Sequence, residues 1–357
     1  MSNKFSFAFG AACIAAALLA GCGGGGGGGG GGFPIVLPPV AGSSVTVSGT
    51  ATYESVPNLN GPLVYASTSV KPVRGVTVEA LDAVSSSQLA VTTSDDSGAY
   101  SMSVPANTTI IVRVRAQLTR TGPGASWDVT VRDNTRSNAL YSMQSSAFSS
   151  GAAASTRDLR AATGWGGDKY TGQRVSAPFA VMDTVYTAMQ KVLSVAPATA
   201  FPALRVFWST GNVPAGGDVT QGQIGSTFFI NRSTGREIYV LGKEDTDTDE
   251  FDAPVIAHEW GHYYQSSFSR DDSPGGPHSL DNRIDRRLAF SEGWGNGWSG
   301  IALGRSNYVD SVGAQQSRGG QCESGGWAVD QPGLVPGGFY PFHLLESQPA
   351  GRLQADS

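Results

Sequence analysis

Histidine, cysteine and charge are all scarce in this chain. It has four His and three Cys in 357 residues, and 15% of residues are charged, against roughly 25% in an average soluble domain. The net charge is −5 and no basic cluster stands out. That excludes the cationic footprint nucleic acid requires, so no nucleic-acid partner is expected. No apolar run of spanning length follows the N-terminal segment, so no later membrane helix is expected. Three Cys do not make a disulfide framework.

What is present is enough for real cores. Hydrophobic residues make up 40% and aromatics 9%. At about 100–200 residues per domain, the length predicts two domains or three. Glycine is abundant at 48, and Gly23 to Gly32 is one unbroken run. The rest imply many turns and short strands.

The first residues read as an address. Lys4 precedes an apolar stretch, Phe5 to Leu19, too short for a spanning helix and typical of a secretory signal. It ends in Leu19-Ala20-Gly21-Cys22, which resembles the lipobox of bacterial lipoproteins. The resemblance implies a signal peptide over 1–21 and lipid attachment at Cys22. It also implies a lipid-anchored, extracytoplasmic protein of the bacterial cell envelope, at the outer membrane or cell surface. The stretch 22–42 then reads as a tether: polyglycine is flexible coil, and Phe33 to Val40 is a stiffer, Pro-rich piece. Cys13 leaves with the signal, and Cys322 remains as a free thiol or a half-pair.

Residues 43–140 read as an all-β sandwich. Tyr100, Met102 and Val104 alternate with Ser101 and Ser103, and Ile110, Val112 and Val114 alternate, with Arg113 and Arg115 in between. This period of two gives each strand a buried and a wet face. Asp95-Asp96-Ser97-Gly98 is turn chemistry. The segment Pro72-x-x-Gly75-Val76-x-Val78, followed by Asp95-Asp-Ser-Gly-Ala-Tyr100-x-Met102-x-Val104-Pro105, resembles the carboxypeptidase-regulatory-like, transthyretin-like domain, which implies an accessory module. Residues 141–172 are rich in Ser, Ala and Gly with weak periodicity, and read as a linker.

From 173 to 327 the pattern predicts an α+β domain. Pro178 suits a helix start, and Val181, Val185, Met189 and Val192 recur at helical spacing. Leu204–Trp208, Thr227–Ile230 and Glu237–Leu241 read as strands. In the loop from Asp245 to Asp252, the first residues begin like a calcium loop. Glu250 stands where such a loop needs Gly, however, and Ile256 where it needs Glu, so it is no EF-hand and reads as a solvated acidic loop. Asp252 is expected to cap the next helix, with Pro254 in its first turn.

That helix carries His258-Glu259-Trp260-Gly261-His262. Two His four apart project from one helix face and can reach one metal ion, while Glu259 can reach a water on it. Gly261 inside a helix costs about 1 kcal/mol relative to Ala, which suggests a closely packed neighbour. Zinc with an open position needs a third protein ligand. Glu292 is the strongest candidate, as a solitary carboxylate in the apolar segment Leu288–Asn296, on a helix expected over 286–303; an uncompensated buried carboxylate is costly. His278 and His343 are rivals.

This order of helix, strands, His-Glu-x-x-His helix and Glu-bearing helix resembles the gluzincin metallopeptidases. The resemblance implies Zn2+ held by His258, His262 and Glu292, Glu259 as general base, and peptide or protein substrates hydrolysed by a metal-activated water. An Asp of the family that orients a ligand His is replaced here by Asn296. Tyr308, Tyr340 and His343 are the candidates for the oxyanion donor, and Glu237–Leu241 for an edge that a peptide could pair with. Gln265 and Phe268 occupy positions where metzincins need Gly and His, so that family fails. The fold class expected is thus multidomain: an all-β sandwich, then a zincin-like metallopeptidase domain. Residues 328–357 read as an irregular tail. Gluzincins continue into a further helical lobe, so a C-terminally truncated form is expected. The alternative reading is a catalytically inert binding or adhesion lipoprotein that keeps the metal site.

Overall fold

The computed structural model describes residues 42–58, 60–276, 284–305, 307–319 and 327–328. Cys22, His278, Cys322, Tyr340 and His343 lie outside them, as do the signal segment and nearly all of the tether and the tail. The described chain is β-rich with three long helices. The residues described from Gly42 onward form one compact unit.

The segment read as strands is strand-rich, and the alternating stretches 100–104 and 110–114 fall in two of its strands. The strands are β1 (Ser44–Ser55), β2 (Ser69–Pro72), β3 (Val76–Asp82), β4 (Gln88–Thr93), β5 (Ala99–Pro105), β6 (Thr109–Arg120) and β7 (Trp127–Asp133). β1, β5 and β6 bury alternate residues almost without a break. Their inward residues, Val45, Val47, Met102, Val104, Ile110, Val112 and Val114, enter one core. β1 pairs antiparallel with β2 and β5.

Further along the chain lie α1 (Ala177–Leu193), β8 (Leu204–Trp208), β9 (Phe228–Arg232), β10 (Gly235–Val240), α2 (Ala253–Phe268) and α3 (Arg286–Leu303). The long sheet runs in the order β9-β10-β8-β7-β6-β3-β4. β8 pairs parallel with both β7 and β10, and β9 pairs antiparallel with β10. A single sheet therefore takes strands from both segments, with α1 in the connection from β7 to β8. The apolar faces of α1 and α2 share a core with the strands: Val181, Val185 and Met189 of α1 meet Ile256 and Trp260 of α2 in one cluster. The stretch read as a linker also contributes short strands. Ser155–Thr156 and Leu159–Ala161 pair parallel with β1, and Ser142–Gln144 pairs with β6. They are too short to show periodicity in sequence.

The helix over 286–303 forms as expected. Asp285 accepts from the Arg287 N–H at 2.8 Å, and Gly304 ends the helix in the left-handed region. α2 starts where expected, but Asp252 does not cap it. Its carboxylate instead accepts from the Ser311 N–H at 2.8 Å and the Ser311 hydroxyl at 2.7 Å, and from Asn58. A distant partner has outcompeted the helix end. Among the described residues no helix is long and apolar enough to cross a membrane.

Candidate metal centre

α2 and α3 cross closely, and two glycines permit it. A Cβ on Gly261 would lie 3.2 Å from the Gly295 Cα and from Trp298. That is the close neighbour its cost implied. The Trp294 indole N–H donates to the Gly261 carbonyl at 2.8 Å. Trp260 and Tyr264 of α2 stack on Trp298 of α3, with ring centroids 5.5 and 5.6 Å apart. Aromatic pairs at this spacing add to the area they bury. A Cβ on Gly295 would meet the His258 imidazole at 2.8 Å, so this glycine makes room for the ring.

The crossing brings His258, His262 and Glu292 together. His258 Nε2 lies 2.9 Å from His262 Nε2 and 3.1 Å from Glu292 Oε2. His262 Nε2 lies 3.6 Å from the same oxygen. The outer nitrogens are held by other groups. His258 Nδ1 is 2.8 Å from Asn296 Oδ1, an acceptor, so Nδ1 carries the proton and donates. His262 Nδ1 is 3.2 Å from Ser291 Oγ, whose hydroxyl donates to Gln265 Oε1 at 3.2 Å. That hydroxyl has given away its hydrogen, so His262 Nδ1–H donates to it. Both Nε2 lone pairs then face one carboxylate oxygen. Two imidazoles and a carboxylate, each fixed from behind, are a donor set for a borderline metal. These residues could hold a divalent ion between the helices.

Glu259 lies on the same turn and is buried. Its Oε2 accepts from the Phe229 N–H of β9 at 2.7 Å. The strand expected to offer an edge, Glu237–Leu241, does not. All of it but Leu241 lies in β10, which is paired on both sides, and the sheet edge is β9. Tyr308 is beside the centre, its ring edge-on to His258 with centroids 5.8 Å apart. Sequence reading missed Ser291, Gln265 and Gly295. Ser291 adjoins Glu292, and Gln265 follows His262 by three residues on α2, so helical spacing was the available signal.

Asn296 Oδ1 bonds His258, but its Nδ2 is buried with no hydrogen-bond partner among the described residues. Asn296→Leu removes the acceptor and is expected to weaken metal binding about 10–100-fold. Asn296→Asp removes the orphaned NH2 and adds charge behind the imidazole, and should tighten it. Competition with a chromogenic chelator checks both.

The acidic loop is solvated only at its start, where Asp245 and Thr246 are exposed; from Thr248 on it is buried. Asp249 is 2% exposed and Asp252 is 0%. Burial, then the charge of Asp310, pushes Asp247 up to about 7. Burial likewise raises Asp310 to about 6 and holds Asp249 and Asp252 well above the carboxylate range. Periodicity could not reveal this, because the chain beyond α3 folds over the loop.

No family model matches the chain, and no curated protein matches it significantly. Among solved structures, the crystal structure of a 9R-lipoxygenase from Cyanothece PCC8801 is similar at 9% identity and a TM-score of 0.19. The match covers 43% of this chain and 24% of the lipoxygenase, so the chain spans about a quarter of that protein, and a likeness of this size carries no argument.

Proposed function

We propose that this protein is an extracytoplasmic zinc peptidase whose metal is held by His258, His262 and Glu292. The observation that carries the reading is the pair of Nε2 atoms 2.9 Å apart, beside one oxygen of Glu292, with both Nδ1 atoms tied to acceptors. Nitrogen-rich donor sets with one carboxylate suit Zn2+ over Ca2+ or Mg2+. When bound, zinc supplies an acidified water and polarises a carbonyl.

The protein's own groups do the rest. Glu259 takes the water's proton and returns it to the leaving amine. The Phe229 N–H holds its carboxylate in place. β9, the sheet edge nearest that carboxylate, is the strand an extended peptide would pair with. Tyr308 is the described candidate for donating to the oxyanion. The reading includes attachment at Cys22, which places the substrates outside the cytoplasm.

The test is zinc content together with casein hydrolysis by the full-length protein. One zinc per chain is expected, with hydrolysis lost on treatment with phenanthroline and restored by added zinc. Zinc without hydrolysis would favour the inert binding protein. A protein that takes up no zinc would sink the site.

A further inference from the structure

The chain on either side of the metal-bearing helices is drawn together at a second place. Asp247 pairs across from Val312 in a small sheet, and the Gly313 N–H donates to the Thr246 carbonyl at 2.8 Å. Asp252 accepts from Ser311 as described above. Within this joint, Asp247, Asp249 and Asp310 each offer a carboxylate oxygen, and these atoms lie within 4.8 Å of one another. Asp249 is 2% exposed. Its Oδ2 accepts from the Thr227 hydroxyl, but among the described residues no donor reaches its Oδ1, nor Oδ1 of Asp247 or of Asp310.

No described Lys or Arg forms an ion pair with these three. The buried guanidinium nearby, Arg174, is taken up by Glu250, Thr248 and the Gly242 carbonyl. Gathering carboxylates out of water without a counter-charge is costly. The oxygens must share protons or share a cation. Oxygen-only donors select a hard cation, and calcium takes six to eight oxygens at about 2.3–2.6 Å in flexible geometry. Two oxygens on a sphere of about 2.4 Å radius can stand no more than about 4.8 Å apart, so none of the three separations exceeds what one such ion spans.

We propose that Asp247, Asp249 and Asp310 form a calcium site that ties the chain leaving α3 to the segment entering α2. The third carboxylate comes from beyond α3, which is why the loop fails as an EF-hand and still gathers a ligand set. Asp310 follows Tyr308 by two residues, so the same tie holds Tyr308 beside His258. The site stands on its own carboxylates and does not depend on the zinc reading: its donors are all oxygen, and no residue is shared.

The test uses the full-length protein at constant zinc, titrated with CaCl2 in a calorimeter and followed by thermal unfolding. One calcium per chain is expected, with a rise in Tm. Asp249→Asn should weaken calcium binding at least about tenfold and abolish the calcium-dependent rise. Its cation-free Tm should equal or exceed that of the wild type, because the amide relieves repulsion. Asp247→Asn, at the more exposed member, gives the same reading if Asp249→Asn does not fold. Zinc content should stay unchanged in both, which separates failure here from failure of the zinc centre. A wild type that takes up no calcium, and instead loses stability as pH rises, would show shared protons and overturn the proposal. So would Asn variants that bind calcium like the wild type, or magnesium binding as tight as calcium.

Discussion

Glu259→Gln is expected to reduce hydrolysis by about 10²–10⁴-fold while zinc content and Tm stay unchanged. Glu259 follows His258 directly on α2 but does not belong to the His258, His262 and Glu292 set, so its replacement leaves the ligands intact. The amide matches the carboxylate in shape, and its oxygen can still accept from the Phe229 N–H, the bond that fixes Oε2 at 2.7 Å. What it cannot do is take a proton at neutral pH. The loss should therefore fall on kcat, with KM little moved. Initial rates on a fluorogenic peptide, read beside zinc content, make the comparison. Unchanged turnover with zinc in place would remove Glu259 from the chemistry. A parallel loss of zinc would assign it to the binding of metal instead.

The candidate centre was more legible in the sequence than the fold around it. Two His at i and i+4 must share a helix face, and a lone carboxylate in an apolar helix needs a partner. Both statements are local, and the structure brings His258, His262 and Glu292 within one cluster. Gly261 announced a close crossing, but not that Gly295 was its counterpart, because that pairing depends on how two helices meet. The relay from Gln265 through Ser291 to His262 was hidden for the same reason.

The sheet shows the limit more clearly. β6 was readable from alternation, and a strand was expected at β8. That β7 and β8 lie side by side is a parallel pairing between distant segments, and nothing in either strand marks its neighbour. The expectation of an edge at Glu237–Leu241 came from resemblance alone; whether a strand is an edge depends on what flanks it. The acidic loop misled most. A run of carboxylates reads as solvated until another segment buries it, and here the strand after α3 does so.

Burial by distant chain also creates the largest stability effect. Arg174→Met is expected to lower stability by about 3–5 kcal/mol. The Arg174 side chain is 4% exposed and that of its partner Glu250 is 0%. The guanidinium donates to the Gly242 carbonyl at 2.6 Å and to Thr248 and Glu250. It lies over the Tyr170 ring at 4.3 Å. The Trp208 indole N–H adds a bond to Glu250 at 3.3 Å. The network joins the end of β8, the turn after β10 and the chain entering α2. A methionine keeps most of the volume but leaves Glu250 charged, buried and without its counter-charge, so the cost is mainly electrostatic. Urea unfolding should show a lower midpoint at unchanged slope. Adding Glu250→Gln to Arg174→Met should recover much of the loss, because the double variant no longer strands a charge. If the double variant is as unstable as the single one, packing against Tyr170 and Trp208 carries the stability, and the ion pair serves only to position the loop.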